Sequence, residues 1–121
     1  MDVSAQDGIV TLTGMVGSII MKWVIVDEVS RLAGVRTVQA DELYDDTSLQ
    51  LAVARTLGSN PSTRMARDDQ VYIHVYHGRV VLTGRVSSSA KCEAIEEAAA
   101  AVPGVRSVVN RLEVARSGLG R

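Results

Sequence analysis

The sequence predicts an α+β protein built from two tandem copies of one small αββαβ unit, each a three-stranded sheet covered by helices. A repeat at constant spacing predicts the duplication: residues 8–16 resemble residues 78–86, and residues 34–38 resemble residues 104–108, both 70 positions further along. Short runs of alternating aliphatic and polar residues predict the strands, and aliphatic residues at helical spacing between these runs predict the helices.

The second copy contains all five elements of the unit. A helix capped by Thr47 stops at Gly58. Residues 71–76 and 80–86 then alternate in polarity around a short turn, which is typical of a β-hairpin. A second helix, capped by Ser87 or Ser88, leads into a last strand that ends near residue 114.

The first copy supplies only ββαβ, with strands over residues 3–6 and 9–16, a helix over about 18–33 and a strand over 35–44. By the 70-residue shift, its opening helix would lie before Met1. The predicted domains are therefore 1–45 and 46–115, with 116–121 as a flexible tail. Between the copies, Asp41, Glu42, Asp45 and Asp46 form an acidic cluster. A cation site is one interpretation of it, and a solvated linker is the simpler one.

The order of these motifs resembles the BON domain family, named after bacterial OsmY and nodulation proteins. The family pattern is a Gly-x-Val-x-Leu-x-Gly-x-Val strand, a helix led by serine, and Pro-Gly-Val-x-x-Val before the last strand. In the second copy, the pattern is carried by Gly78, Val80, Leu82, Gly84, Val86, Pro103, Gly104, Val105, Val108, Asn110 and Leu112. The first copy matches more loosely, with Ala33 in place of Pro103 and Ala40 in place of Asn110.

The resemblance implies an αββαβ fold, a place in bacterial envelope proteins and attachment to phospholipid membranes. Some members of the family are periplasmic proteins that are induced by stress, including osmotic stress. The motif residues themselves have structural explanations, as hairpin turns, bends within strands and helix ends. These structural positions are Gly8, Gly14, Gly34, Gly78, Gly84, Pro103 and Gly104.

Composition and motifs argue against several other functions. The net charge is −1, without the basic excess that nucleic-acid binding needs. The single Cys92 excludes an internal disulfide, and it lies on the core face of its predicted helix. His74 and His77 are the only imidazoles and are expected on opposite faces of a strand end. We therefore predict that the protein is not an enzyme and has no cofactor and no metal site.

The two long helices differ on the side that should face water. The second copy places polar residues there, Ser89, Glu93 and Glu96, whereas the first places Ile19, Trp23 and Val26 at the equivalent positions. Met21 likewise replaces Lys91. Both helices are expected to share a core stripe, which in the first is Ile25, Val29 and Leu32.

Three explanations of this apolar stripe stay open. It packs within the molecule, on the second copy or on the helix over residues 49–57; or it forms a surface for self-association. In the third explanation it enters a membrane interface, with Lys22, Arg31 and Arg36 near anionic headgroups. The predicted binding surface is Ile19, Met21, Lys22, Trp23 and Val26.

The predicted function is therefore that of a binding module. Its partner is a phospholipid surface or another envelope component; the alternative is a structural or regulatory module that binds a protein or a second copy of itself. The resemblance implies the periplasm or cell envelope. If Met1 is the natural start, the lack of a signal peptide predicts the cytoplasm instead.

Overall fold

The computed structural model describes residues 1–115, which form three helices and six strands. The tail predicted over residues 116–121 lies outside the described residues. The elements are β1 (Asp2–Gln6), β2 (Ile9–Val16), α1 (Ile19–Ser30), β3 (Thr37–Asp45), α2 (Asp46–Ser59), β4 (Gln70–Tyr76), β5 (Arg79–Val86), α3 (Ser89–Ala100) and β6 (Ser107–Val114).

The strands form two separate sheets of the same topology. In the first, β2 pairs antiparallel with β1 and parallel with β3; in the second, β5 pairs in the same way with β4 and β6. The hairpin registers also repeat at the shift of 70 residues, since Val3 is opposite Leu12 and Ile73 is opposite Leu82. The predicted α+β fold with two three-stranded sheets is confirmed, and both sheets are mixed.

Each hairpin closes with a two-residue turn in which both residues have positive φ. These values are 53° for Asp7 and 81° for Gly8, and 50° for His77 and 81° for Gly78. Two positive φ values define the type I′ turn, whose twist matches that of the flanking strands and which favours glycine at its second position. Gly8 and Gly78 thus take the second position of the two turns with a positive φ.

The strand registers show no bulge at the other strand glycines, Gly14 and Gly84. Gly84 has a φ of 121°, and a Cβ on it would lie 2.0 Å from the carbonyl oxygen of Gln70, so no larger residue fits there. The bulge of the first sheet lies elsewhere, because β3 has one extra residue opposite the segment of β2 between Thr11 and Thr13. From that point, Leu43 takes the place in the sheet that Leu112 has in the second.

The second unit has a core covered by two helices. The side chains of β5 lie beneath α2 and α3, and α2 also packs against β4. The buried members of this core are Leu49, Val53, Leu57, Val80, Leu82, Val86, Ile95, Ala99 and Val102. From the first unit, Met15 and Tyr44 pack against the same cluster and so join the two units.

The first unit has a smaller core covered by α1 alone. Its buried residues are Val10, Leu12, Val16 and Leu43. No residue of α1 is fully buried. Of the predicted core stripe, Ile25 and Val29 are half-buried, but Leu32 is 60% exposed, so the prediction for Leu32 was wrong. The helix ends before this residue, and no second helix packs over it within residues 1–115.

The last two residues of the acidic cluster, Asp45 and Asp46, make structural hydrogen bonds. Asp45, not Thr47, is the N-cap of α2, and its carboxylate accepts from the amide of Ser48 at 2.8 Å. The Asp46 carboxylate accepts from the amides of His77 and Gly78 at 2.8 and 3.0 Å. Both aspartates are buried, so the expectation of a solvated linker was wrong for them.

Candidate binding surfaces

The most exposed apolar side chains of α1 lie on the side of the helix that faces away from the first core. Ile20 is 67% exposed and Trp23 is 62% exposed, and Val24 beside them is also exposed. Positions i, i+3 and i+4 are neighbours on a helix surface, so these three side chains form one patch. At the equivalent positions α3 has Ala90, Glu93 and Ala94. We call Ile20, Trp23 and Val24 the outward patch.

The five residues of the predicted surface do not all lie together. Ile19 and Val26 are half-buried, with Val26 packed against the first core and Ile19 facing α2 across a shallow depression. Lys22 is also half-buried. Met21 and Trp23 are both exposed, but residues two apart project from opposite sides of a helix. Of the five, Trp23 is therefore the one in the outward patch.

The side of α1 that carries Met21 and Leu32 is exposed for a different reason. In α3 the equivalent side, which includes Lys91 and Val102, faces α2 and the loop after it. Lys91 there pairs with Asp69 of that loop, and Val102 is buried. No element covers the same side of α1 within residues 1–115.

The inner face of β1 is uncovered in the same way. Met1 and Val3 are exposed, Val3 by 59%, whereas Ile73, the equivalent of Val3 in β4, is half-buried against the second core. Val3 is more exposed than Ile73 because α2 packs on β4, whereas no helix packs on β1 within residues 1–115. We call Met1, Val3, Met21 and Leu32 the open face.

A polar feature lies at one end of the open face. In the second unit, Asp46 binds both amides of the His77-Gly78 turn. Within residues 1–115, no carboxylate accepts from the equivalent amides of Asp7 and Gly8. The side chain of Arg36 lies across Gly8, within 2.8 Å of where a Cβ would be. The aliphatic Cγ and Cδ of Arg106 lie beside Gly78 in the same way, so the two turns differ in whether a carboxylate binds their amides and not in the neighbouring arginine.

A cleft of about 260 Å³ lies where the two units meet. Its lining is mainly apolar, with Leu43 from the first unit and Leu49 and Val102 from the second. The Asp45 Oδ2 is buried without a hydrogen-bond partner among the described residues, and Lys22 is the one cation among those that line the cleft.

Asp69 and Cys92, both in the second unit, have perturbed pKa values. Burial would raise the pKa of Asp69, but hydrogen bonds from Lys91 and the Ala66 amide outweigh it and lower that pKa below its usual value. Burial, together with Glu93, raises the pKa of Cys92, which keeps the thiol protonated. Residues 1–115 bring no three His, Cys, Asp or Glu side chains together in a way that could hold a metal ion.

Sequence reasoning did not identify Ile20, Val24, Val3 or Leu32 as surface residues. The signal that could have found Leu32 and Val3 was already in the repeat: both correspond to positions that contact α2 in the second copy. Ile20 lacked a signal, since a helix with apolar residues on every side does not show which side faces the core.

One of three comparisons with known proteins places the chain in a family. The model of the BON domain matches residues 1–43 and 45–116, which is nearly the whole chain. No curated protein matches. Among the described residues, no helix has both the length and the apolar character needed to cross a bilayer.

Two solved structures of CdsD, a structural protein of the type III secretion system of Chlamydia trachomatis, are distantly similar. Both are 15% identical to this chain, with a TM-score of 0.41. One alignment covers 98% of this chain and 87% of the CdsD chain in the solved structure; the other, with the C-terminal domain of CdsD, covers 96% of this chain and 90% of that chain.

Proposed function

The chain belongs to the BON domain family, and we propose that it is a non-catalytic module that attaches to the phospholipid surface of the cell envelope through the outward patch of α1. We further propose that residues 1–43 and 45–116 are two copies of the domain, only the second of which has an α2 helix within the described residues. The observation that carries the proposed attachment is the exposure of Trp23 at a position where α3 has Glu93.

The physical basis is burial of the patch in the interfacial region of a bilayer. Tryptophan is enriched at membrane–water interfaces, and a surface helix binds there by its apolar side chains. Full burial of three such side chains contributes about 5 kcal/mol, which is in the range of a single acyl chain. Attachment through this patch alone is therefore weak and reversible.

The charges around the patch indicate that apolar contact dominates the attachment. Asp27 and Glu28 follow the patch on α1, and Arg31 is paired with Asp27 at 3.1 Å. With acids and bases balanced, an anionic surface gains little over a neutral one. We therefore expect similar affinity for zwitterionic and moderately anionic vesicles.

Tryptophan fluorescence tests the proposal directly, because Trp23 is the only tryptophan. On addition of phosphatidylcholine vesicles, with or without phosphatidylglycerol, the emission should shift to the blue and become protected from iodide. In vesicle co-sedimentation, Trp23→Glu should abolish binding, while Tyr72→Glu, at an exposed aromatic of β4, should leave it unchanged. An emission that stays red and quenchable at every lipid concentration would refute membrane attachment.

A protein partner, including a second copy, is the alternative function. It is favoured by the Asp27–Arg31 pair beside the patch, since apolar centres with a rim of mixed charge are typical of protein interfaces. In this case the emission of Trp23 shifts with protein concentration and not with lipid. Sedimentation velocity across the same dilution series would show the oligomer.

A further inference from the structure

The free edge of β4 differs from the other sheet edges of residues 1–115. The two sheets have the orders β1-β2-β3 and β4-β5-β6, so β1, β3, β4 and β6 are the edge strands. Edge strands commonly carry charged residues, proline or a bulge, which prevent pairing with another chain. The strands β1, β3 and β6 each contain an acidic residue, whereas β4 has no Asp, Glu, Lys, Arg or Pro and no bulge. We propose that this edge binds an extended acidic segment of a partner protein as an added β-strand.

Every second residue of β4 directs its backbone groups to the free edge. The bond across a two-residue turn joins the pair that flanks it, and hydrogen-bonded pairs alternate along an antiparallel ladder. Tyr76 and Arg79 flank the turn, so Val71, Ile73 and Val75 point their N–H and C=O groups away from β5. Among residues 1–115, no backbone hydrogen bond outside the ladders and helices involves these three residues. Their backbone groups are therefore available to a further strand.

A groove of about 720 Å³ lies between α2 and the end of β4 that leads into the turn. It is lined by Leu51 and Ala54, which lie outside the buried stripe of α2, by Val75 of β4 and by Ile19 of α1. Leu51 is 51% exposed. Because side chains alternate between the two faces of a strand, every second side chain of the added strand points towards this groove. Aliphatic side chains fit its lining.

The charges around the edge favour an acidic segment. Helix α2 and the hairpin of β4 and β5 contain three arginines, Arg55, Arg79 and Arg85, and all of them are exposed. The one acid of these elements is Asp46, whose carboxylate already accepts from the two turn amides. Arg79 and Arg85 alternate with the buried residues of β5, so they lie on the face of the sheet opposite its core. An added strand lies two strand spacings from them, about 10 Å, so acids on that face of the strand are attracted.

A second copy of this chain is a poorer occupant of the edge. If β4 paired with β4 of another copy, two sets of arginines would be brought together, and like charges repel. The most acidic edge strand of this chain is β3, but its extra residue opposite β2 forms a bulge, and a bulge disturbs regular pairing. An acidic segment of a different protein meets neither obstacle.

Amide hydrogen exchange in the whole chain tests the added strand. The probe is a heptapeptide with blocked ends and the sequence Glu-Val-Glu-Val-Glu-Val-Glu, which places its acids on one face and its valines on the other. Saturating peptide should slow exchange of the amides of Val71, Ile73 and Val75. The amides of Tyr72 and His74, which face β5, should be protected with or without peptide. The same peptide with proline as its central residue lacks one donor to the edge and should bind about tenfold more weakly.

Two substitutions test the groove and the charges. Leu51→Glu, in the lining of the groove, should weaken binding of the peptide about tenfold or more. Its control is Leu32→Glu, at an exposed residue of α1 outside the groove, which should leave the affinity unchanged. Arg79→Glu should weaken binding of the acidic peptide several-fold and strengthen binding of a peptide in which lysine replaces every glutamate.

Four results would overturn the proposal. The first is no slowed exchange at about millimolar peptide. The second is equal affinity for the acidic peptide and the lysine peptide. The third is protection of Val71, Ile73 and Val75 that rises with protein concentration in the absence of peptide, which would make a second copy the occupant. The fourth is protection of these amides at every protein concentration without peptide, which would mean that the edge is already covered.

Discussion

Helices α1 and α3 occupy equivalent places in two sheets of the same topology, yet their burial differs. Ile95 and Ala99 of α3 are fully buried, while α1 has no fully buried residue. The sequence of α1 is the more apolar of the two. The difference arises because α3 is held between its sheet and α2, whereas among residues 1–115 no helix packs along α1 in the way that α2 packs along α3.

The comparison shows that apolar character and burial are separate properties of a helix. On α1 the exposed apolar residues fall into two groups with different causes. Met21 and Leu32 lie where a helix equivalent to α2 would cover them, and residues 1–115 contain no such helix for the first unit. Ile20 and Trp23 lie where α3 is also exposed, and a second helix of the α2 type would leave them in water.

The largest expected effect comes from truncating the equivalent isoleucines. Ile95→Ala should lower the free energy of unfolding by about 3–4 kcal/mol, because the cavity is enclosed on every side, and Ile25→Ala by about 1–2 kcal/mol. Chemical denaturation followed by circular dichroism measures both. Equal losses would mean that the first core is as tightly enclosed as the second.

A second expected effect concerns the carboxylate that joins α2 to the hairpin turn. Asp46→Ala should cost about 2 kcal/mol, because the amides of His77 and Gly78 lose a charged acceptor in a buried setting. Asp41→Ala, at an exposed acid of the same sequence cluster, is the control and should change stability by less than about 0.5 kcal/mol. If the two variants were equally stable, the turn contact would contribute nothing.

A smaller effect concerns the pH dependence of stability that the Asp69–Lys91 pair gives to the second unit. The pKa of Asp69 is lower in the folded protein than in the unfolded chain. Its pairing with Lys91 therefore stabilises the fold fully at a pH above the pKa of the unfolded chain, and this contribution is lost as the pH falls through the pKa of the folded protein. Asp69→Asn should therefore cost about 1 kcal/mol at pH 7 and flatten the fall in stability below about pH 4. Urea titrations at several pH values give the result; an unchanged acid slope would contradict it.

The smallest expected effect on stability is at the outward patch. Trp23→Glu, which installs the residue of the second copy, should change the free energy of unfolding by less than about 0.5 kcal/mol, because the ring is mostly in water. Thermal denaturation of the two proteins provides the comparison. A loss of 2 kcal/mol or so would instead indicate that Trp23 is buried in solution, as the packing or self-association hypotheses require.

Much of this architecture could be predicted from the sequence because it is local or periodic. The hairpins follow from alternation and from the turn glycines Gly8 and Gly78, and the two three-stranded sheets follow from the spacing of strands and helices. The role of Asp46 could not be predicted, since its partners lie more than 30 residues away and an acidic run looks alike whether solvated or buried.

The amino-acid sequence by itself determined the strand and helix order and the family, because each depends on patterns that recur along the chain. The tertiary structure alone decided which side of α1 is exposed, how Asp45 and Asp46 are used, and where the open face lies. These features depend on what packs against a helix from elsewhere in the chain, and a helix that is apolar all round has no stripe to indicate it.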